Sequence, residues 1–387
     1  MKKKILFIME SLRIGGAEKS LLTLLSKLDY ERYEVELFLF RHNGELMKFL
    51  LPQVRLLPED AKYHSFDRNR KVAPLQYLVQ GDFLRAWHSL CYLVGCIWQR
   101  IARKKLYIGW KHVRLLFSTK NLSADIAVAY LERKCVYFTA DYVQANCKVA
   151  FIHNDYSVYP YDATLDNHYF ASYHKIATVS EHCCQVLEQK FPQYVDKFAV
   201  VPNMVSVQAI QAMSKEPLPQ LRNVVHHALT VVTVGRLVEQ KGYDRAIRIC
   251  AQLVSRQMDV LWIAVGDGPE RDKLQEQIDT RGLQGHFILA GAYANPYPWM
   301  QIADIYVQPS RFEGFGITVA EAKALNKRIV CSDIPEFREQ LRSYPNAKFA
   351  GNEDEFVEAI REMAQRSVLP YTVAEEQPTE FYRCIES

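Results

Sequence analysis

Two glutamates separated by seven residues stand out in the run Ser310-Arg311-Phe312-Glu313-Gly314-Phe315-Gly316-Ile317-Thr318-Val319-Ala320-Glu321-Ala322, which follows an apolar strand pattern at 304–308. Gly314 and Gly316 let the backbone approach a ligand closely, and a helix starting near Ile317 would point its free N–H groups at an anion. A carboxylate about one turn inside that helix, Glu321, can accept two hydroxyl hydrogen bonds from a ribose. Glu313 in the loop can fix the hydroxyls of a hexose.

Two cations have the complementary chemistry. Val234-Gly235-Arg236-Leu237 places Arg236 just past a strand end, and Gln240-Lys241-Gly242 places Lys241 just before a helix. Both would reach the carboxyl edge of a sheet, where open α/β folds bind ligands. A departing diphosphate gains negative charge as its bond to a sugar breaks, and positioned cations and N–H groups stabilise that charge. Paired carboxylates could also suggest glycoside hydrolysis, but their placement on a loop and a helix start argues against it. No Asp-x-Asp occurs in the chain, so no carboxylate-held metal and no cofactor are expected, the two cations taking that electrostatic role.

The elements that must hold these residues are α/β. Strand patterns at 3–8, 34–40, 125–130, 148–153, 175–179 and 197–201 alternate with helical ones at 17–28 and 181–190. A second series at 229–235, 260–266, 286–291, 304–308 and 328–331 alternates with helices near 243–256, 269–280 and 317–326. Such alternation predicts parallel sheets covered by helices. The 387 residues exceed what one core usually serves, so two domains are expected. Their expected bounds are 1–205 and 229–368, with a Gln-, Ser- and Pro-containing linker over 206–228 and a tail, 369–387, that could return to the first domain.

Composition excludes several classes. With 49% apolar and 24% charged residues and a net charge of +4, neither disorder nor a nucleic-acid-binding tail is expected. Glu10 interrupts the apolar run after Lys2–Lys4 too early for a signal peptide, and no run of about 18 apolar residues offers a spanning helix. Nine cysteines without C-x-x-C pairing suit a reducing cytoplasm. The one oddity is 84–120, with eight Lys or Arg and no acid. There Trp87, Tyr92, Trp98, Tyr107, Trp110 and Phe117 interleave with Arg100, Arg103, Lys104, Lys105, Lys111 and Arg114. This mixture predicts a peripheral contact with an anionic membrane surface, against the plainer reading of two helices with aromatic inner and basic outer faces.

The Glu313–Glu321 segment resembles the E-x7-E signature of retaining GT4-type glycosyltransferases, which have the GT-B fold: two Rossmann-like domains facing each other across a cleft. Gly235-Arg236-Leu237 with Lys241-Gly242 is similar to the same family's G-R-L-x-x-x-K-G, and Gly15-Gly16-Ala17-Glu18 to its G-G-A-E loop. Gly291 through Asn295-Pro296-Tyr297-Pro298 is similar to a stretch of its bacterial surface-polysaccharide members. The resemblance implies that Arg236 and Lys241 bind the donor diphosphate, Thr318 adding a phosphate contact. It assigns the sugar to Glu313 and the Gly314–Phe315–Gly316 backbone, and the ribose to Glu321. Gly15 and Gly16 would close on the phosphates, His153 would face the sugar, and Asn203 would sit at the hinge. The implied activity is transfer of a hexose or N-acetylhexosamine from a nucleotide diphosphate sugar, a UDP-sugar favoured, to a lipid-linked saccharide at the inner face of the cell membrane. A nucleotide-sugar epimerase of the same fold and a non-catalytic sugar-nucleotide-binding subunit are the alternatives. Two departures are Met204, where the family often has glycine after Pro-Asn, and a short end after Leu369 that includes Pro378.

Overall fold

Strands such as Ile5–Met9 and Val260–Val265 are buried along their whole length, so helices must cover both faces of the sheets they join. The computed structural model describes residues 2–102, 109–119, 121–159, 161–218 and 227–386. The chain forms two units: one runs to Pro202 and resumes at Pro378, the other is Asn203–Gln377.

In unit 1, β1 (Lys3–Met9), β2 (Tyr33–Leu39), β3 (Arg55–Leu56), β4 (Leu122–Ala129), β5 (Val143–Ile152), β6 (Lys175–Thr178) and β7 (Phe198–Val200) form a parallel sheet in the order 3-2-1-4-5-6-7. Unit 2 repeats the pattern with β8 (Leu229–Val234), β9 (Val260–Val265), β10 (Phe287–Gly291), β11 (Ile305–Gln308), β12 (Arg328–Ser332) and β13 (Ala347–Ala350), in the order 10-9-8-11-12-13. In each sheet the direction of strand addition reverses once, between β1 and β4 and between β8 and β11. At such a reversal neighbouring loops leave the carboxyl ends on opposite faces and open a crevice suited to a ligand.

The cores follow the two-residue strand period. In β8, Leu229 and Val231 enter one apolar cluster with Ala246 and Trp262, while Val232 and Val234 enter the other with Ile263 and Tyr306. Unit 1 has an aromatic core in which Tyr63 stacks on Phe117 at 4.1 Å, beside Phe40, Phe138 and Trp110. The helix Thr379–Glu386 closes unit 1. Phe381 stacks on Phe7 at 5.8 Å, and the Tyr382 hydroxyl accepts the Asp29 N–H at 2.8 Å.

The structure differs from the expected linker over 206–228. Ser206 caps a helix, Val207–Met213, whose Val207 and Ile210 are buried in the unit 2 core. Gln and Ala there make an ordinary amphipathic turn that a search for strand periodicity passes over. Residues 219–226 of that linker lie outside the described residues. Asn203, expected at the hinge, opens unit 2 and is buried. The two-residue β3, the four-residue β13 and the helix Glu353–Gln365 were not expected from sequence.

Candidate functional site

In unit 2 the loops after β8 and β11 are bolted together at the reversal point. Gly242 has φ +69°, and a Cβ there would run into the Pro309 carbonyl oxygen, so only glycine lets the two backbones meet. The Arg311 N–H donates to the Gln240 carbonyl at 2.8 Å, and the Gln240 amide returns a bond to the Phe312 carbonyl at 3.1 Å. The Arg311 guanidinium grips both Asp244 oxygens at 2.8 and 2.7 Å.

This brace brings Lys241 and Glu313 together across 72 residues of sequence: Nζ donates to both carboxylate oxygens at 2.7 and 2.9 Å. A chain of buried groups fixes the carboxylate from behind. Tyr306 donates to Gln308 at 2.7 Å, the Gln308 amide to Ser310 at 2.8 Å, and the Ser310 hydroxyl to Glu313 Oε1 at 2.7 Å. The Lys241 and Glu313 side chains retain only 15% and 5% of their exposure, so each charge depends on the other.

Around the pair, Gly316 has φ +79° and caps the helix Ile317–Ala324; a Cβ would strike the Phe337 ring. The Thr318 hydroxyl, in the first turn, donates to Gln308 Oε1 at 3.3 Å. Phe315 packs on the core, and its carbonyl accepts the Gln340 amide at 3.1 Å. Glu321 is buried, with Oε1 accepting the Tyr297 hydroxyl at 2.8 Å. Arg236 differs from all of these. It is exposed, and among the described residues its guanidinium has no hydrogen-bond acceptor or ion-pair partner.

The brace has a pH signature. Burial pushes the Asp244 carboxyl up, but hydrogen bonds and charge from Arg311 and then Arg248 overcome it and bring its pKa from 3.8 down to about 2. A depressed folded-state value means that the stabilisation is complete above the unfolded value and is lost as pH falls through the folded one. Wild-type urea midpoints should therefore fall as pH drops from about 4 toward about 2, and Asp244→Asn should flatten that slope. Identical slopes in the two proteins would contradict this role.

In unit 1, Gly15 and Gly16 follow β1, with Gly15 capping the helix Gly16–Lys27. His153 follows β5. Its Nε2–H donates to the Tyr130 carbonyl at 3.0 Å, and its backbone N–H donates to Glu132 at 3.1 Å. Glu132 also accepts the Asn154 amide at 2.6 Å and the Tyr161 hydroxyl at 3.1 Å. Arg133 beside it has φ +63° and lies over the Tyr159 and Tyr161 rings at 5.1 and 5.3 Å.

The structure thus gathers Lys241, Glu313, Gly316 and Thr318 in the unit 2 loop brace, with Arg236 at the end of β8 and Glu321 within the adjoining helix. Gly15, Gly16 and His153 belong to the unit 1 edge. Sequence reasoning missed Gln308, Ser310, Asp244 and Glu132, ordinary polar residues whose role exists only through tertiary contact. A signal for Tyr297 was present in Asn295-Pro296-Tyr297-Pro298, but not its hold on Glu321.

The expected membrane stretch divides. Trp110 and Phe117 are buried, and Tyr92 packs against the same core, because they line the inner faces of their elements. Trp87 and Trp98 are 61% and 46% exposed. Arg103, Lys104, Lys105 and Tyr107 lie outside the described residues.

Residues 216–375 match the family model "Glycosyl transferases group 1". An uncharacterized glycosyltransferase of Methanocaldococcus jannaschii is 32% identical over 167 residues, 43% of this chain and 41% of that protein. The alpha-D-kanosaminyltransferase of Streptomyces kanamyceticus is 30% identical over 106 residues, 27% of this chain and 28% of its own. The chain thus spans less than half the length of these relatives. Among solved structures, Anabaena HepE in complex with UDP and glucose is similar with a TM-score of 0.63 and 18% identity, covering 94% of this chain and 90% of its own. WaaG, a glycosyltransferase involved in lipopolysaccharide biosynthesis, gives 0.56 and 12% over 94% and 90%. At these identities the structures bear on the fold alone, and that fold is GT-B. Residues 216–375 thus match the glycosyl transferases group 1 family model, within a chain that has the GT-B fold.

Proposed function

We propose that the protein is a retaining glycosyltransferase that moves a hexose or N-acetylhexosamine from a UDP-sugar to a lipid-linked saccharide in cell-surface polysaccharide synthesis, at the cytoplasmic face of the membrane. The observation that carries this reading is the braced Lys241–Glu313 pair at the reversal point of unit 2, with the exposed Arg236 two residues past the end of β8. Arg236 and Lys241 donate N–H bonds to the diphosphate, and their charge offsets what develops on it as the glycosidic bond breaks. Glu313, aimed by Ser310 and Lys241, accepts from sugar hydroxyls while the Gly314–Gly316 backbone lies close to the ring. Glu321 accepts from the ribose, and Thr318 adds a phosphate contact. UDP as the donor's nucleotide is supported by the UDP and UDP-glucose complexes of HepE, and a membrane-bound acceptor by the basic, aromatic stretch 84–120.

The test is to incubate the purified protein with UDP-, GDP- and ADP-sugars, with and without a membrane lipid extract, and to follow both nucleotide release and the sugar product. Release from a UDP-sugar, raised by the extract and accompanied by a glycosylated lipid, is expected. Interconversion of epimers without transfer, or no binding of any donor, would overturn the reading.

A further inference from the structure

Unit 1 carries an apolar surface that none of its described residues covers. In the 20-residue helix Phe83–Ala102, Leu84, Trp87, Leu90, Val94, Ile97 and Ile101 are between 46% and 77% exposed. Their spacing of three and four places them on one face. The opposite face is the one that packs: Ala86 and Ser89 are buried and Tyr92 meets the core. The preceding helix, Ala73–Val79, adds Leu75, Leu78 and Val79 at 63%, 46% and 82% exposure. A helix of this length presents about 30 Å of continuous apolar surface, which a soluble protein rarely leaves in water without a partner.

Charge identifies the partner. From Phe83 to Lys120 the sequence has eight Lys or Arg and no Asp or Glu. Pairing this face with a second copy of itself would bring two basic segments together, whereas an anionic lipid surface complements both the charge and the apolar stripe. No helix among the described residues is long and apolar enough to cross a membrane, so the helix would lie along the surface. The exposed Trp87 and Trp98 belong to the residue type favoured at headgroup depth.

We infer that the outer face of Phe83–Ala102, together with Leu75, Leu78 and Val79, docks in the plane of an anionic bilayer, with these apolar side chains entering the boundary between headgroups and acyl chains. This rests on the membrane-face reading proposed above and narrows it: the inserting residues are this outer stripe, and Trp110 and Phe117 take no part.

The full chain is tested by co-sedimentation with phosphatidylcholine vesicles, with and without phosphatidylglycerol, beside a variant carrying Trp87→Gln, Val94→Gln and Ile97→Gln. Glutamine keeps helix propensity, and an unchanged thermal midpoint verifies folding. The wild type should bind the anionic vesicles, with binding weakened by salt, and the variant should lose more than about tenfold in partitioning because three large apolar side chains no longer leave water. UDP binding, measured on the same samples, should be equal in both proteins, so failure of the donor reading stays distinguishable from failure of docking. Absence of wild-type binding to anionic vesicles, or equal binding by the variant, would overturn the inference. A wild-type dimer that the variant converts to monomer, without vesicle binding, would assign the face to a second copy instead.

Discussion

Glu313→Gln should lower turnover by about a hundredfold or more, the scale of losing one preorganised charged contact at a reacting centre. It should also destabilise the protein, because Lys241 keeps only 15% of its side-chain exposure and both of its bonds end on Glu313. Stranding one partner of a buried pair costs about 3 kcal/mol or more. Lys241→Ala should do the same from the other side, leaving the carboxylate with the Ser310 hydroxyl. The double variant Lys241→Met/Glu313→Gln separates the two effects. With no charge left unpaired, much of the stability should return, since buried pairs contribute little over apolar replacements, while turnover stays lost. Thermal midpoints and initial rates of all four proteins check this. Recovery of turnover along with stability would reduce the pair to a structural brace.

Arg236→Ala should show the reverse profile. The guanidinium is exposed and, among the described residues, has no acceptor or ion-pair partner, so removing it should leave the thermal midpoint within about 1 °C, as expected of surface changes within about 0.5 kcal/mol. Donor affinity should fall by about 10- to 100-fold, the equivalent of one charge-assisted hydrogen bond to a phosphate. Calorimetric titration with UDP checks both the size and its independence from folding. An unchanged dissociation constant would remove Arg236 from the site.

The contrast between these two cations marks how far the residues alone could be read. Arg236, Lys241, Glu313 and Glu321 were legible because glycine turns, strand ends and helix starts are local signals, and the strand–helix alternation places each near a sheet edge. What joins them was not legible. Lys241 and Glu313 look in sequence like two independent ligand contacts, and they meet only because Gly242 presses against Pro309. Tyr297 reaches Glu321 in the same non-local way. Along 84–120 the sequence mixes aromatics of both faces, and only packing separates Trp110, which is buried, from Trp87, which is not. The helix Val207–Met213 was hidden by its composition, with two buried apolar side chains, Val207 and Ile210, among Gln and Ala.

The central claim is that the braced loops after β8 and β11 hold the nucleotide diphosphate. Hydrogen exchange measured by mass spectrometry on the full chain, with and without saturating UDP, addresses it directly. Protection should rise in peptides covering 235–243 and 309–318, and this rise should be lost in Arg236→Ala at the same UDP concentration. Binding of UDP with protection confined to other segments, or with equal protection in the variant, would contradict the account.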